Sequence, residues 1–227
     1  MATAVLWRSV VPGAPTAPMA DETVAVDASR TVRLADGSVA HLAPGTVLER
    51  DPENPRRVRL EGRAYFGITH QPDRPFIVET EAGITRVLGT RFDMTARANE
   101  MTVVVVEGRV EVLTDSAEVE LGPGEESRVT GGGAPVVGLA DVAAVTDWLG
   151  DVFIFQNTPL AEVGRELEER FDREIVIEDP VLLQRTITAV YSRPSLDEIL
   201  PTLCRAVDAR CVTTGRTVRI TTQTHSR

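Results

Sequence analysis

The chain has 227 residues, enough for one large or two modest domains with buried cores. Its 24 basic residues are arginines scattered along predicted strands, against 34 Asp and Glu, for a net charge of −10. That balance excludes a phosphate-binding surface, which needs clustered cations, and no run of about 18 apolar residues is present to cross a membrane as a helix.

The opening stretch "MATAVLWRSVVPGAPTAPMADE" lacks the charged start and long apolar run of a secretion signal. Pro12–Pro18 reads as an extended Pro/Ala linker, so residues 1–21 are expected to be a remnant that follows a membrane anchor or another domain. Residues 22–135 are a series of short β segments divided by turn signals. Asp36-Gly37 marks a tight hairpin, Pro44-Gly45 the next turn, and Asp51 to Pro55 the one after. "RRVRLEGRAYFGITH" and "EMTVVVVEGRVEVLT" are longer strands, and another pair flanks Gly122–Gly124. The expected fold is therefore mainly β, an antiparallel all-β domain of sandwich or solenoid-like form.

Two of these strands share a phrase. Glu61-Gly62-Arg63 recurs as Glu107-Gly108-Arg109, each after an apolar residue, which predicts a bend or bulge at equivalent places in a duplicated sheet. A different interruption occurs in "ITRVLGTRFDM", where Gly89 and Thr90 break a strand. Glycine there marks a bulge, a bend or a close approach. A hydroxyl directly after it could also attack the preceding carbonyl, giving an ester by N-to-O acyl shift. A free hydroxyl is a weak nucleophile without a base or geometric help, so the fold would have to align the attack.

The texture changes after Thr130. Three glycines and a proline end the strand series, and residues 136–150 read as a connecting segment. Residues 151–223 then follow β-α-β-β-α-β-β order, a small α+β domain. Thr158 is the expected N-cap of its first helix, with Pro159 at the first helical position. Leu160, Val163, Leu167 and Phe171 fall on one helical face. Ser195 and Glu198 form a capping box for the second helix, in which Pro201 is a misfit. The strands "VFIFQ" and "TITAVYS" are candidate edges for a partner strand, with Phe153, Phe155, Ile187 and Tyr191 as either anchors or core.

Only two cysteines occur, Cys204 and Cys211, spaced so that a disulfide could join a helix end to the following strand; two small buried apolar residues are the alternative. These cysteines and the scattered His41, His70 and His225 match no metal-ligand spacing. No nucleophile-elbow motif and no Ser/His/Asp set can be assembled, which argues against a conventional hydrolase.

Taken together, "LADGSVAHLAPGT", "VRLEGRAYFGITHQPDRPFIVET", "TRVLGTRFDM" and "TVVVVEGRVEV" resemble, in order and spacing, the extracytoplasmic part of a FecR-type anti-sigma factor. "WLGDVFIFQNTPLAEVGRELEERF" resembles the family's C-terminal module, itself similar to the short N-terminal (STN) domains of secretins and TonB-dependent receptors. The resemblance implies a periplasmic protein, the outer part of a single-pass inner-membrane regulator. Its partner would be the signalling domain of a TonB-dependent outer-membrane receptor, often one for ferric siderophores. Site proteases would then release an extracytoplasmic-function sigma factor. The sigma-binding segment and the membrane helix that usually precede this domain are not in the sequence, so contact with either would run through an upstream segment. No cofactor and no turnover of substrate are implied. Some relatives cut themselves once at a Gly–Thr bond, and the matching positions are Gly89 and Thr90.

One other reading is a carbohydrate- or peptidoglycan-binding β domain of the cell envelope. It predicts a cleft lined with aromatics, yet the β domain holds only Tyr65, Phe66, Phe76 and Phe92.

Overall fold

A computed structural model describes residues 22–150, 152–192 and 194–223. The linker-like start at residues 1–21 and His225 lie outside the described residues.

The β region begins with β1 (Glu22–Val26), β2 (Arg30–Arg33), β3 (Val39–Leu42), β4 (Thr46–Arg50) and the long β5 (Arg57–Gly67). It continues with β6 (Phe76–Glu79), β7 (Ile84–Val87), β8 (Arg91–Arg97) and β9 (Glu100–Glu107). β10 (Val110–Leu113), β11 (Glu118–Leu121), β12 (Glu125–Thr130) and β13 (Val136–Leu139) complete it. All thirteen strands belong to one sheet, folded into two halves that share β5. One half runs β1-β4-β5-β6-β7-β10-β11 and the other β2-β3-β5-β8-β9-β12-β13. The expected antiparallel pattern holds except between β5 and β6, which are parallel. β13 lies in the stretch expected to be a connecting segment, and its pairing with β12 carries the sheet four residues further.

The two halves close on one apolar core. Leu48, Leu60, Phe76 and Val110 meet Leu42, Phe66, Phe92 and Val103, and Phe66 stacks on Phe92 at 5.1 Å. Each such side chain contributes about 1.5–3 kcal/mol by leaving water. The chain passes between halves at corners, and the two Glu-Gly-Arg phrases are two of them. Glu61 pairs with β4 in the first half while Gly62 already pairs with β8 in the second. Glu107 likewise pairs in the second half and Val110 in the first, with Gly108 between them. Gly62 and Gly108 have φ of +110° and +88°, backbone that a side chain disfavours.

Beyond β13, α1 (Val142–Thr146) and a 3₁₀ turn (Asp147–Leu149) lead to the α+β module. Its elements are β14 (Val152–Pro159), α2 (Leu160–Phe171), β15 (Glu174–Ile177), α3 (Pro180–Leu183), β16 (Thr186–Ser192), α4 (Leu196–Ala206), β17 (Ala209–Thr214) and β18 (Thr217–Thr222). β14 pairs with β16, and β15 lies parallel to β18, which pairs with β17. Leu160, Val163 and Leu167 of α2 and Ile199, Leu200 and Leu203 of α4 are buried in the module's own core. The capping box at Ser195 and Glu198 is present, and Pro201 lies inside α4 on its exposed side without ending it. Two local expectations change. Thr158 is not the cap of α2, because β14 runs through Pro159 and the hydroxyl of Thr158 accepts from Gln156 N–H. The single-turn helix α3 follows Asp179, where the sequence suggested only a strand end.

Candidate functional site

The Gly89–Thr90 bond lies at a corner between β7 and β8: Ile68 N–H donates to Thr90 O at 3.0 Å, and Gln71 N–H to Leu88 O at 2.8 Å. These bonds lay the segment after β5 alongside the bond and bring His70 over Gly89. A Cβ built on Gly89 would lie 2.5 Å from His70 Cα and 2.7 Å from His70 Nδ1. Gly89 is not in the left-handed region, so glycine is required here by close approach rather than by backbone angle. The bulge lies on the partner strand, where Arg91 pairs with Glu107 but Phe92 with Val105.

Thr90 is buried, 3 % exposed, and its hydroxyl donates to Arg109 O at 2.8 Å. Gly108 comes close to the same group, since a Cβ there would be 2.9 Å from both Gly89 O and Thr90 Oγ1. A cavity of about 290 Å³ opens on the bond, lined by His70, Leu88, Gly89, Thr90, Gly108 and Arg109. Around its rim Glu111 is paired with Arg86 at 3.0 Å and Glu120 with Arg109 at 2.6 Å. His70 makes no hydrogen bond or ion pair among the described residues. The sequence treated His70 as isolated, and only the pairing of residues 68–71 with 88–90 brings it to the bond.

One residue beyond Thr90 the chain enters the contact between the β region and the C-terminal module. Arg91 is 7 % exposed and turned to the opposite face from Thr90. Its Nε donates to Glu107 Oε2 at 2.6 Å, and its terminal nitrogens lie 3.2 Å from Glu166 and 3.7 Å from Glu162 of α2. Beside it Val39, Tyr65 and Ile154 form a small apolar cluster between the two units. Trp148 Nε1 donates to Asp93 Oδ2 at 2.7 Å, Arg63 Nε donates to Asp93 Oδ1 at 3.1 Å, and the Arg63 guanidinium lies 4.8 Å from the Trp148 ring centre. Burial pushes the Asp93 carboxyl up to about 6 against the pull of Arg63 and Trp148. Burial also raises Glu166, which Arg91 opposes.

The edge residues singled out in the sequence are not surface anchors. Phe153, Phe155 and Ile187 are buried at 4 %, 0 % and 2 % and hold α2 and α4 on the module's sheets. Large apolar side chains on the inner face of a strand leave water for the core. Tyr191 is half-buried against Phe155. The exposed side chains of β16 are Thr186 and Thr188, and among the described residues β16 pairs with β14 alone. Cys204 and Cys211 are joined in a disulfide with Cα atoms 6.1 Å apart, tying α4 to β17. Among the described residues no cluster of His, Cys, Asp and Glu could hold a metal, and no helix is long and apolar enough to cross a membrane.

This two-unit arrangement, a corner-folded β sheet followed by a small α+β module, is that of a known class of regulator. The family model described as "FecR protein" matches residues 20–111, and "FecR, C-terminal" matches residues 152–220. Among solved structures the chain is similar to a "putative anti-sigma factor from Parabacteroides distasonis ATCC 8503". The 1.65 Å structure is 28% identical, with 89% of this chain and 100% of that one covered at a TM-score of 0.54. The 2.50 Å structure is 29% identical, covering 89% and 99%, at a TM-score of 0.53. No curated protein matches. The chain belongs to the FecR family of anti-sigma factors.

Proposed function

We propose that this chain is the periplasmic, signal-receiving part of an anti-sigma factor that cuts itself once at Gly89–Thr90. Its C-terminal module binds the signalling domain of a TonB-dependent outer-membrane receptor. Regulated proteolysis then releases an extracytoplasmic-function sigma factor. The observation that carries the self-cleavage is the buried Thr90 hydroxyl, held by Arg109 O at 2.8 Å beside a glycine carbonyl at a sheet corner. Holding the attacking group in place replaces part of the activation that a free hydroxyl lacks. The hydroxyl oxygen adds to the Gly89 carbonyl carbon, the C–N bond breaks, and the hydroxyl proton ends on the Thr90 nitrogen. Water then opens the ester.

The Cys204–Cys211 bridge supports an oxidising compartment. Receptor binding is supported by the edge of β16 that pairs with no strand among the described residues and can accept a partner strand through main-chain hydrogen bonds. Arg91, bonded to Glu107 and close to Glu162 and Glu166, links that module to the strand that begins at the cut. Titration of receptor signalling domains from the same genome into the chain tests the partner. A micromolar complex weakened by Thr188→Pro is the expected result, since proline removes a backbone donor from the edge. Failure of every such domain to bind at high micromolar concentration contradicts it.

A further inference from the structure

The structure contains its own comparison for the Gly–Thr site. Gly45–Thr46 has the same two residues at another corner, and the Thr46 hydroxyl donates to Arg63 O at 2.9 Å as Thr90 does to Arg109 O. Two things differ. Thr46 Oγ1 also accepts from Arg63 N–H at 3.0 Å, which engages its lone pair. A Cβ on Gly45 would meet nothing within 4 Å, whereas Gly89 is covered by His70. What distinguishes the second site is an imidazole.

We propose that His70 is the base for the second half of self-cleavage, the opening of the Gly89–Thr90 ester by water. The inference rests on the self-cleavage reading given above. His70 and the Thr90 hydroxyl approach the bond from different sides: the ring lies where the Gly89 side chain would be, and the hydroxyl lies toward Gly108 and Arg109. The imidazole is therefore placed to serve a nucleophile that arrives on its own side, and the cavity there, about 290 Å³, holds several waters at roughly 30 Å³ each. The two carboxylates that line the cavity, Glu111 and Glu120, are already paired with Arg86 and Arg109. His70 is exposed and makes no such pair among the described residues.

In this step water adds to the ester carbonyl carbon of Gly89 while the imidazole takes one of its protons. The bond from that carbon to Thr90 Oγ1 breaks, and the imidazolium returns its proton to the departing oxygen. One water is consumed, and the new Gly89 carboxyl gives its proton to the freed Thr90 amine, leaving a carboxylate, an ammonium group and the Thr90 hydroxyl. The acyl shift itself does not need His70.

Hydroxylamine separates the two halves, because it attacks esters and spares amides. His70→Ala and His70→Gln are purified with the wild-type chain, and their folding is checked by thermal unfolding. Each is incubated with and without neutral hydroxylamine and weighed under denaturing conditions. The wild type is expected to cut without the reagent. Both variants are expected to cut about 100-fold more slowly in buffer, the scale of a lost proton-transfer group, and to be cut rapidly by hydroxylamine, giving a Gly89 hydroxamate. His70→Gln keeps a side chain over Gly89 and so controls for lost packing. Cutting of either variant in buffer at the wild-type rate overturns the role of His70. Folded variants that resist both conditions also overturn it, since no ester has formed. A wild-type chain that resists both conditions removes the self-cleavage reading itself, and this inference with it.

Discussion

Thr46 and Thr90 hold matching corners of one folded sheet, each hydroxyl donating to the carbonyl of an arginine that follows a glycine, Arg63 and Arg109. The partner glycines are packed the same way. A Cβ on Gly62 would lie 2.7 Å from Thr46 Cα, and one on Gly108 2.9 Å from Thr90 Oγ1. The repeated Glu-Gly-Arg phrase is thus one structural device used twice, and only one of its copies carries the histidine.

This packing predicts distinct outcomes for two glycine substitutions. Gly62→Ala forces a side chain into backbone at φ +110° and is expected to cost about 1–3 kcal/mol, visible as a lower denaturant midpoint. Gly108→Ala, at φ +88°, presses on Gly89 O and Thr90 Oγ1 and is expected to alter self-cleavage as well. Equal stability of Gly62→Ala and wild type in urea would contradict the corner assignment.

Asp93 makes the junction of the two units sensitive to pH. Its folded-state pKa of about 6 lies above its ordinary value of 3.8, so the folded state binds the proton more tightly. The associated stability is complete below pH 4 and is lost as pH rises through 6, about 3 kcal/mol in all. Asp93→Asn removes this titration. The stability of wild type minus that of Asp93→Asn should therefore fall between pH 4 and pH 7, and a flat difference across that range would contradict the assignment.

The β architecture was legible because turn glycines and alternating strands are local signals. Asp36-Gly37 marks a hairpin, and Pro44-Gly45 and the two Glu-Gly-Arg phrases mark corners, that the structure contains. The Ser195–Glu198 cap was legible for the same reason. What the sequence hid is non-local. His70 meets Gly89 only because residues 68–71 pair with 88–90, and Trp148 meets Asp93 only because the C-terminal module covers the outer face of β5 and β8. β13 escaped notice because it follows three glycines and its side chains are all exposed, so no alternation marks it. Phe153, Phe155 and Ile187 were visible as a cluster, but periodicity alone does not separate an inward strand face from a contact face.

Reducing the Cys204–Cys211 bridge should loosen the C-terminal module alone. Releasing so short a loop costs about 2–3 kcal/mol on the chain-entropy account, on the order of 10–20 °C in the Tm of a unit this size. Calorimetry with and without reductant checks this. A transition unchanged by complete reduction would show that the helix and strand are held by packing of Leu203 and Val207 instead.

The intact mass of the chain under denaturing, non-reducing conditions, beside Thr90→Ala, tests the central claim most directly. Two fragments meeting between Gly89 and Thr90, together heavier than the chain by one water and absent from the variant, are the predicted result. A single uncut mass in both would contradict self-cleavage and leave Gly89 as the place where a sheet turns beneath His70.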